Sequence, residues 1–441
     1  MEYVKRKIDE DLLEWKKYNS HKPLLLRGAR QIGKSSSIRE FGKQFEYFLE
    51  INFERKEHQA AKKIFENSSS PKTITDELYA MFGVPIEKGK TLLFLDEIQS
   101  CIPAISSLRF FYEEMPELHV IAAGSLLEFA LEELPSFGVG RISSMFMYPL
   151  SFSEYLGAVK MEKLAEAIRF ATTAKPLSDV LHHEALKHLI KYIVIGGMPE
   201  VVATYAKGGS LRECMQILDD LVHTYYDDFA KYRKKVPALL LRKTLSSIVE
   251  QTGCKFNYSA ISKGDRHEQL KQCVDLLCLA GLVYPLNKTS ANGIPLGAEV
   301  NHKFRKFLIF DTGIMLHILG EDISDILLGD KLEQINKGDV AELFVGLELL
   351  KNSSMNTIKE LYYWQRDERN SNAQIDYLIQ KGSKIIPVEV KSGTTGKMQS
   401  LRLFMKEKKS EYGIRISLEN FNEYDKIKVI PLYAIENILK L

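Results

Sequence analysis

The stretch Pro23-Leu24-Leu25-Leu26-Arg27-Gly28-Ala29-Arg30-Gln31-Ile32-Gly33-Lys34-Ser35-Ser36 decides the fold of this chain. It holds a complete G-x-x-x-x-G-K-S run. An apolar segment leads in, and a polar stretch able to start a helix, Ser35 to Phe41, leads out. Strand, glycine loop and helix in that order make a phosphate loop. Gly28 and Gly33 let the backbone curl so that successive N–H groups face inward as an anion nest. The helix beginning near Lys34 adds its positive end beneath the phosphates. Gly28, Ala29, Arg30, Gln31, Ile32, Gly33, Lys34, Ser35 and Ser36 are therefore expected to line an ATP site. Lys34 would reach the β/γ-phosphates, and the Ser35 hydroxyl would ligate Mg2+.

Working outward, Thr91-Leu92-Leu93-Phe94-Leu95-Asp96-Glu97 is an apolar run closed by two carboxylates. Continuous apolarity suits a central parallel strand, and the ends of such strands are where ligands bind in open α/β sheets. Neighbouring strand residues face opposite ways, so Asp96 and Glu97 take different roles: Asp96 in the Mg2+ shell, Glu97 orienting the attacking water. Tyr47 to Phe53 and His119 to Ala123 read as further strands. Ser125, after the second of these, either senses the γ-phosphate or caps a helix. Arg141, in Gly138-Val139-Gly140-Arg141, precedes a strand from Ile142 to Tyr148. It would stabilise transition-state charge, in cis or toward a neighbouring subunit, or form a structural ion pair.

At 441 residues the chain exceeds one ordinary core. A composition of 45% hydrophobic and 27% charged residues excludes disordered and fibrous classes. The 60 Lys+Arg and 58 Asp+Glu nearly cancel, to +2, so there is no global nucleic-acid footprint. The cysteines Cys101, Cys214, Cys254, Cys273 and Cys278 form no C-x-x-C pair, as in a reducing compartment. The N-terminus lacks a signal-peptide apolar segment and no stretch is long enough to span a bilayer, so the expected location is cytoplasmic.

Residues 1–21 read as an amphipathic helix with Ile8, Leu12, Leu13 and Trp15 on one side. From Pro149 the pattern turns helical: Ser151 and Glu154 form a capping box, and Gly196-Gly197-Met198-Pro199 interrupts the run. This segment, 151–236, looks like a lid on the nucleotide site, and Lys231, Arg233, Lys234 and Lys235 before Pro237 read as a linker. Residues 237–330 show helix–turn–helix and then a hairpin, the winged-helix pattern. Arg266, His267 and Lys271 lie where DNA phosphates could be met, diluted by Glu268 and Asp275.

A second constellation lies near the C-terminus. Gln374 to Ile379 and Ile385 to Lys391 read as adjacent strands that bring Asp376, Glu389 and Lys391 together. The carboxylates could hold Mg2+, Lys391 could polarise a water, and Glu342, on an otherwise apolar helix, could be a third acid. An inert scaffold whose charges survive as internal ion pairs fits the same residues.

Taken together, G-A-R-Q-I-G-K-S, L-F-L-D-E-I-Q, Y-P-L-S-F-S-E-Y, G-G-M-P-E, K-F-N-Y-S, F-D-T-G and the closing I-D-Y…P-V-E-V-K resemble the prokaryotic AAA-type ATPases whose C-terminal half is the domain of unknown function 4143. The resemblance implies an α/β fold. It would comprise an ATPase core of strand order 5-1-4-3-2 (1–150), a helical lid (151–236), a winged helix (237–330) and a PD-(D/E)XK nuclease-like domain (331–441). In that nuclease motif Asp376, Glu389 and Lys391 match position by position, with Glu342 the helix acid. Ile375 stands where the motif's name has proline, so that signature is partial. The implied activity is Mg2+-dependent ATP hydrolysis coupled to a nucleic-acid-directed module, either a metal-dependent nuclease or an inert DNA- or protein-binding switch. A second subunit or protein partner would supply an arginine.

Overall fold

The apolar run Thr91–Asp96 is buried at all six positions in the computed structural model, as a central strand should be. The structure describes residues 3–18, 21–125, 127–132, 140–232, 235–262, 264–320, 338–367, 373–391, 393 and 398–440. Gly138, Val139, Arg233 and Lys234 lie outside them. The described chain divides into two units. The first is Met1–Tyr148 with Leu279–Gly281 and Ser354–Ile358; the second is Pro149–Cys278, Leu282–Ser353 and Lys359–Leu441.

In the first unit β1 (Leu24–Arg27), β2 (Tyr47–Asn52), β3 (Thr91–Asp96), β4 (His119–Ala123) and β5 (Ser143–Phe146) form one sheet. Its order is β2-β3-β4-β1-β5 and every pairing is parallel, the expected order 5-1-4-3-2 read from the other edge. Parallel pairing puts all five C-terminal strand ends along one margin, so the phosphate loop after β1 and Asp96 at the tip of β3 share an edge. Ile51, Leu93, Leu95, Val120 and Leu108 are among the fully buried residues of one of its core clusters. The first helix, Ile8–Lys17, buries Ile8, Leu12 and Trp15 at positions i, i+4 and i+7. Leu13 departs from the expected face and is 40% exposed, because it sits about 100° around the helix from Leu12.

Trp15 packs edge-on against a stacked pair of imidazoles, His21 and His119, whose centroids lie 3.8 Å apart. His119 Nδ1 and His21 Nε2 are buried without a hydrogen-bond partner. Burial, and then the neighbouring His21, push His119 down to about 4. Between pH 6.5 and 4 the unfolded chain takes up a proton that folded His119 refuses. Stability held above pH 6.5 is therefore lost as pH falls, by about 3 kcal/mol in all. Thermal unfolding of the wild type and His119→Phe across that window should show the wild type losing more. Parallel profiles would remove His119 as the cause.

The second unit holds the remaining strands: β6 (Val283–Thr289), β7 (Val300–Ile309), β8 (Leu361–Gln365), β9 (Gln374–Lys381), β10 (Lys384–Val390), β11 (Gly413–Ser417), β12 (Asn422–Tyr424) and β13 (Ile427–Pro431). They form a single sheet of order β12-β13-β11-β10-β9-β8-β6-β7. The β6–β7 hairpin follows the helices Ala238–Glu250 and His267–Leu279, in the order the sequence suggests. Yet β6 also pairs parallel with β8, so the hairpin is continuous with the C-terminal sheet. The helix Gly338–Lys351 has every residue from Val340 to Lys351 buried. A side chain at Gly346 would meet the Tyr377 hydroxyl at 2.5 Å, so glycine there sets how close helix and strand come.

Three of the sequence motifs meet in this unit's interior. Glu348, 3% exposed, accepts the Phe152 N–H at 3.1 Å and the Tyr192 hydroxyl at 3.3 Å. Lys351 donates to the Tyr192 hydroxyl at 2.7 Å and to the Leu150 carbonyl at 3.2 Å. Asp311 caps the helix Thr312–Leu319 through the Ile314 N–H and accepts the Gly197 N–H at 2.7 Å. Its carboxylate lies 2.1 Å from where a Gly196 side chain would begin, and Gly196 has φ 73°, so only glycine fits there. Among the described residues no helix is long and apolar enough to cross a membrane.

Candidate functional site

The phosphate loop alternates backbone hand: Gly28 has φ 137°, Gln31 63° and Gly33 93°. A side chain at Gly28 would lie 2.2 Å from the Met147 carbonyl, so the loop closes against the chain leaving β5 only with glycine there. Gly33 is the N-cap of the helix Lys34–Gly42. No side chain caps this helix and no acid lies in its first turn. Its leading N–H groups are thus left for an anion.

Lys34 is 8% exposed and donates to the carbonyls of Gly28 at 2.8 Å and Ala29 at 2.7 Å. Burial pushes it down to about 8, against the pull of Glu97 and Asp96. The Ser35 hydroxyl donates to Asp96 at 3.0 and 3.1 Å, so the hydroxyl and carboxylate that the sequence reading paired are one hydrogen bond apart. Asn52, at the tip of β2, holds the same carboxylate at 3.0 Å. Burial and then Glu97 raise the Asp96 pKa, while Ser35 and Asn52 oppose the shift. Hard oxygen donors beside an anion nest suit Mg2+ and a polyphosphate. Ala29 and Ile32 are buried, Arg30 is half-buried, and Gln31 and Ser36 are exposed.

Glu97 adopts φ 48°, ψ 45°, which turns its carboxylate away from the line of β3. One of its oxygens accepts from Gln99 Nε2 at 2.7 Å, the Ser125 hydroxyl at 3.1 Å and the Ser125 N–H at 3.3 Å. Asp96 and Glu97 therefore have separate partners. The helix after Ser125 begins at Leu127, and the Ser125 hydroxyl is directed to Glu97.

Arg141 is not brought to this site. β5 pairs with β1 so that Leu24 faces Ser143 and Arg27 faces Phe146. Arg141 thus precedes β5 at the sheet end away from the loop, where it pairs with Glu113. The expected contribution in cis fails on this register.

In the second unit β9 and β10 do bring Asp376 and Glu389 side by side, with Tyr377 opposite Val388. Each acid, however, has its own donor. Asp376 accepts the Val390 N–H at 2.8 Å and Gln374 Nε2 at 3.2 Å. Lys391 contacts Glu389 at 2.7 Å, leaving the buried Glu389 Oε2 without a partner. Burial raises the Glu389 pKa, with Lys391 opposing. Glu342 is taken by Lys306 of β7 at 2.7 Å, both buried, and burial pushes this acid up to about 7. The expected triple-carboxylate site at Glu342, Asp376 and Glu389 is not assembled. Among the described residues no group of three His, Cys, Asp or Glu side chains is placed to hold a metal ion. Arg266, His267 and Lys271 are exposed on or beside the helix His267–Leu279, with Asp265, Glu268 and Asp275 exposed among them, so charge there is mixed.

Sequence reasoning missed Asn52, Gln99 and Arg6, whose guanidinium reaches the Ile32 carbonyl. Asn52 depends on β2 lying beside β3, and Arg6 on a contact 26 residues away. Only Gln99 carried a local signal, as the last residue of L-F-L-D-E-I-Q.

The five-stranded parallel sheet of order β2-β3-β4-β1-β5, with this loop and acidic tip, has the form of a P-loop domain. Residues 20–156 match the family model described as AAA domain. Residues 337–435 match a domain of unknown function, DUF4143, and residues 186–325 another, DUF8612. An uncharacterized protein of Haemophilus influenzae is 23% identical over 385 residues, covering 83% of this chain and 81% of its own. Among solved structures, the Walker-type ATPase PABY2304 of Pyrococcus abyssi gives a TM-score of 0.45 at 14% identity, covering 72% of this chain and 96% of its own. The Aeropyrum pernix Orc1 protein, solved in complex with DNA, gives 0.26 at 14% identity, covering 72% and 91%.

Proposed function

We propose that the first unit binds and hydrolyses ATP with Mg2+, and that the second is a module whose binding state follows the nucleotide without cutting nucleic acid. The observation that carries the first part is the Ser35 hydroxyl resting on Asp96 at the mouth of the glycine loop. Gly28, Gly33 and the helix N-terminus would hold the phosphates, and Lys34 would leave its carbonyl contacts to meet the terminal ones. Bound Mg2+, held by Ser35 and Asp96, would offset charge on the transferred phosphoryl group. Glu97 would orient water once freed from Gln99 and Ser125. With Glu97 so held and Arg141 remote, basal turnover is expected to be slow unless a second subunit or partner supplies an arginine.

The second part of the proposal draws support from Lys306, whose ammonium donates to the helix acid Glu342 at 2.7 Å and so competes with any other cation for that carboxylate. One assay panel tests both parts on the full chain: phosphate release from ATP, and nicking of supercoiled plasmid, each with Mg2+ and with chelator. Phosphate release that stops with chelator, without nicking, is the expected result. Absence of release overturns the first part, and nicking that Asp376→Asn abolishes overturns the second.

A further inference from the structure

Arg6 lies upstream of the residues that match the AAA domain, yet its guanidinium is buried against the phosphate loop at 6% exposure. One arm donates to the Ile32 carbonyl at 3.0 Å, the other to the Tyr148 carbonyl at 2.7 Å. Its own N–H is held by Asp9 at 2.8 Å. Asp9 also accepts the Tyr3 hydroxyl at 2.5 Å, and that hydroxyl reaches Ser37 Oγ at 2.9 Å, inside the helix that follows the loop. The segment Tyr3–Asp9 therefore fastens both the loop and its helix.

We propose that Arg6 is a positioning residue of the nucleotide site, setting the direction in which the phosphate loop presents its N–H groups. A trans peptide points its C=O and N–H in opposite directions. Fixing the Ile32 carbonyl toward Arg6 fixes the Gly33 N–H toward the opposite side, where the nest must receive phosphate oxygens. The peptide needs such a hold. It lies between Gln31 at φ 63° and Gly33 at φ 93°, and a non-glycine residue in that region persists only where its surroundings over-determine it. The second arm fixes the loop to the chain leaving β5, where the Met147 carbonyl already touches Gly28. A guanidinium can serve two carbonyls at once because its donors form a rigid fork, and its charge strengthens both bonds. The Arg6 guanidinium is directed to the backbone carbonyls of Ile32 and Tyr148. It acts through Ile32 and Gly33, so it tunes nucleotide affinity more than the chemical step.

This inference rests on the ATP-binding reading, and Lys34→Ala separates the two. Binding of a fluorescent ATP analogue and steady-state hydrolysis would be measured on the full-length wild type, Arg6→Gln, Arg6→Lys and Lys34→Ala. Arg6→Gln should raise Kd and KM about tenfold while kcat stays within about twofold. Arg6→Lys, a point charge without the fork, should fall between it and the wild type. A purely architectural arginine would lower the unfolding midpoint but leave Kd and KM of the folded protein unchanged, and that result overturns the inference. If Arg6→Gln does not fold, Arg6→Lys decides, and wild-type affinity there overturns it equally. Loss of binding in Lys34→Ala beside normal binding in Arg6→Gln overturns only the role of Arg6. Normal binding in Lys34→Ala overturns the ATP reading beneath it.

Discussion

Replacing Lys34 by alanine should lower ATP turnover by about 10²–10³-fold, the usual loss when one pre-placed donor to a developing charge is removed. The ammonium is buried among the loop carbonyls of Gly28 and Ala29, with Asp96 and Glu97 contributing the strongest attraction to it. Stability should move the other way. Burial already disfavours the charged lysine, which is pushed down to about 8, so its removal should leave the unfolding midpoint unchanged or higher. Phosphate-release kinetics and thermal unfolding on the same preparation check both halves. Turnover within about threefold of the wild type would place the chemistry elsewhere.

The second large effect is on folding. Glu348→Ala should destabilise the second unit by about 3 kcal/mol, the lower end of the cost of breaking a buried ion pair, because Asp311 still faces the remaining ammonium. Lys351 lies 3.8 Å from Glu348, and both side chains are 4% exposed. The alanine would also strand the Phe152 N–H at the start of a helix and remove the bond of 3.0 Å from the Asn352 side chain, which keeps the Glu348 backbone carbonyl at 2.8 Å. Lys351, which holds the Leu150 carbonyl and the Tyr192 hydroxyl, would lose one of the carboxylates it faces and keep Asp311. Glu348→Met combined with Lys351→Met should recover much of the loss, since an apolar pair of similar volume removes both charges together. Urea unfolding of the two single variants and the double variant measures this. Single-variant losses under about 1 kcal/mol would mean that the network adds little.

What was legible in the sequence is what lies close along the chain. The phosphate loop is fixed by eight consecutive residues, and the acidic tip by an apolar run that only a covered strand can satisfy. Asp376 and Glu389 were readable as neighbours because a two-residue turn forces their strands together. Arg141 carried two readings, a charge-stabilising arginine or a structural ion pair. It pairs with Glu113, and the Leu24–Ser143 register sets it at the sheet end away from the loop. The partner of Glu342 was hidden, because Lys306 lies 36 positions away in a strand that only the fold brings against the helix. The single sheet shared by the β6–β7 hairpin and the C-terminal strands rests on the β6–β8 pairing, across 75 positions between Leu286 and Leu361. The motifs Y-P-L-S-F-S-E-Y, G-G-M-P-E and F-D-T-G were visible as strings, but their common role was not. They meet around Asp311, Tyr192 and Glu348, and that meeting explains their glycines and acids as one hydrogen-bonded core.

Calorimetric titration of ATP into the wild type and Asp96→Asn, each with Mg2+ and with chelator, tests most directly whether Ser35 and Asp96 share a metal beside the phosphates. Mg2+ should tighten ATP binding by about tenfold or more in the wild type and leave Asp96→Asn indifferent. ATP affinity that ignores Mg2+ in the wild type, or a Mg2+ gain that survives in Asp96→Asn, would contradict a metal held between that hydroxyl and that carboxylate.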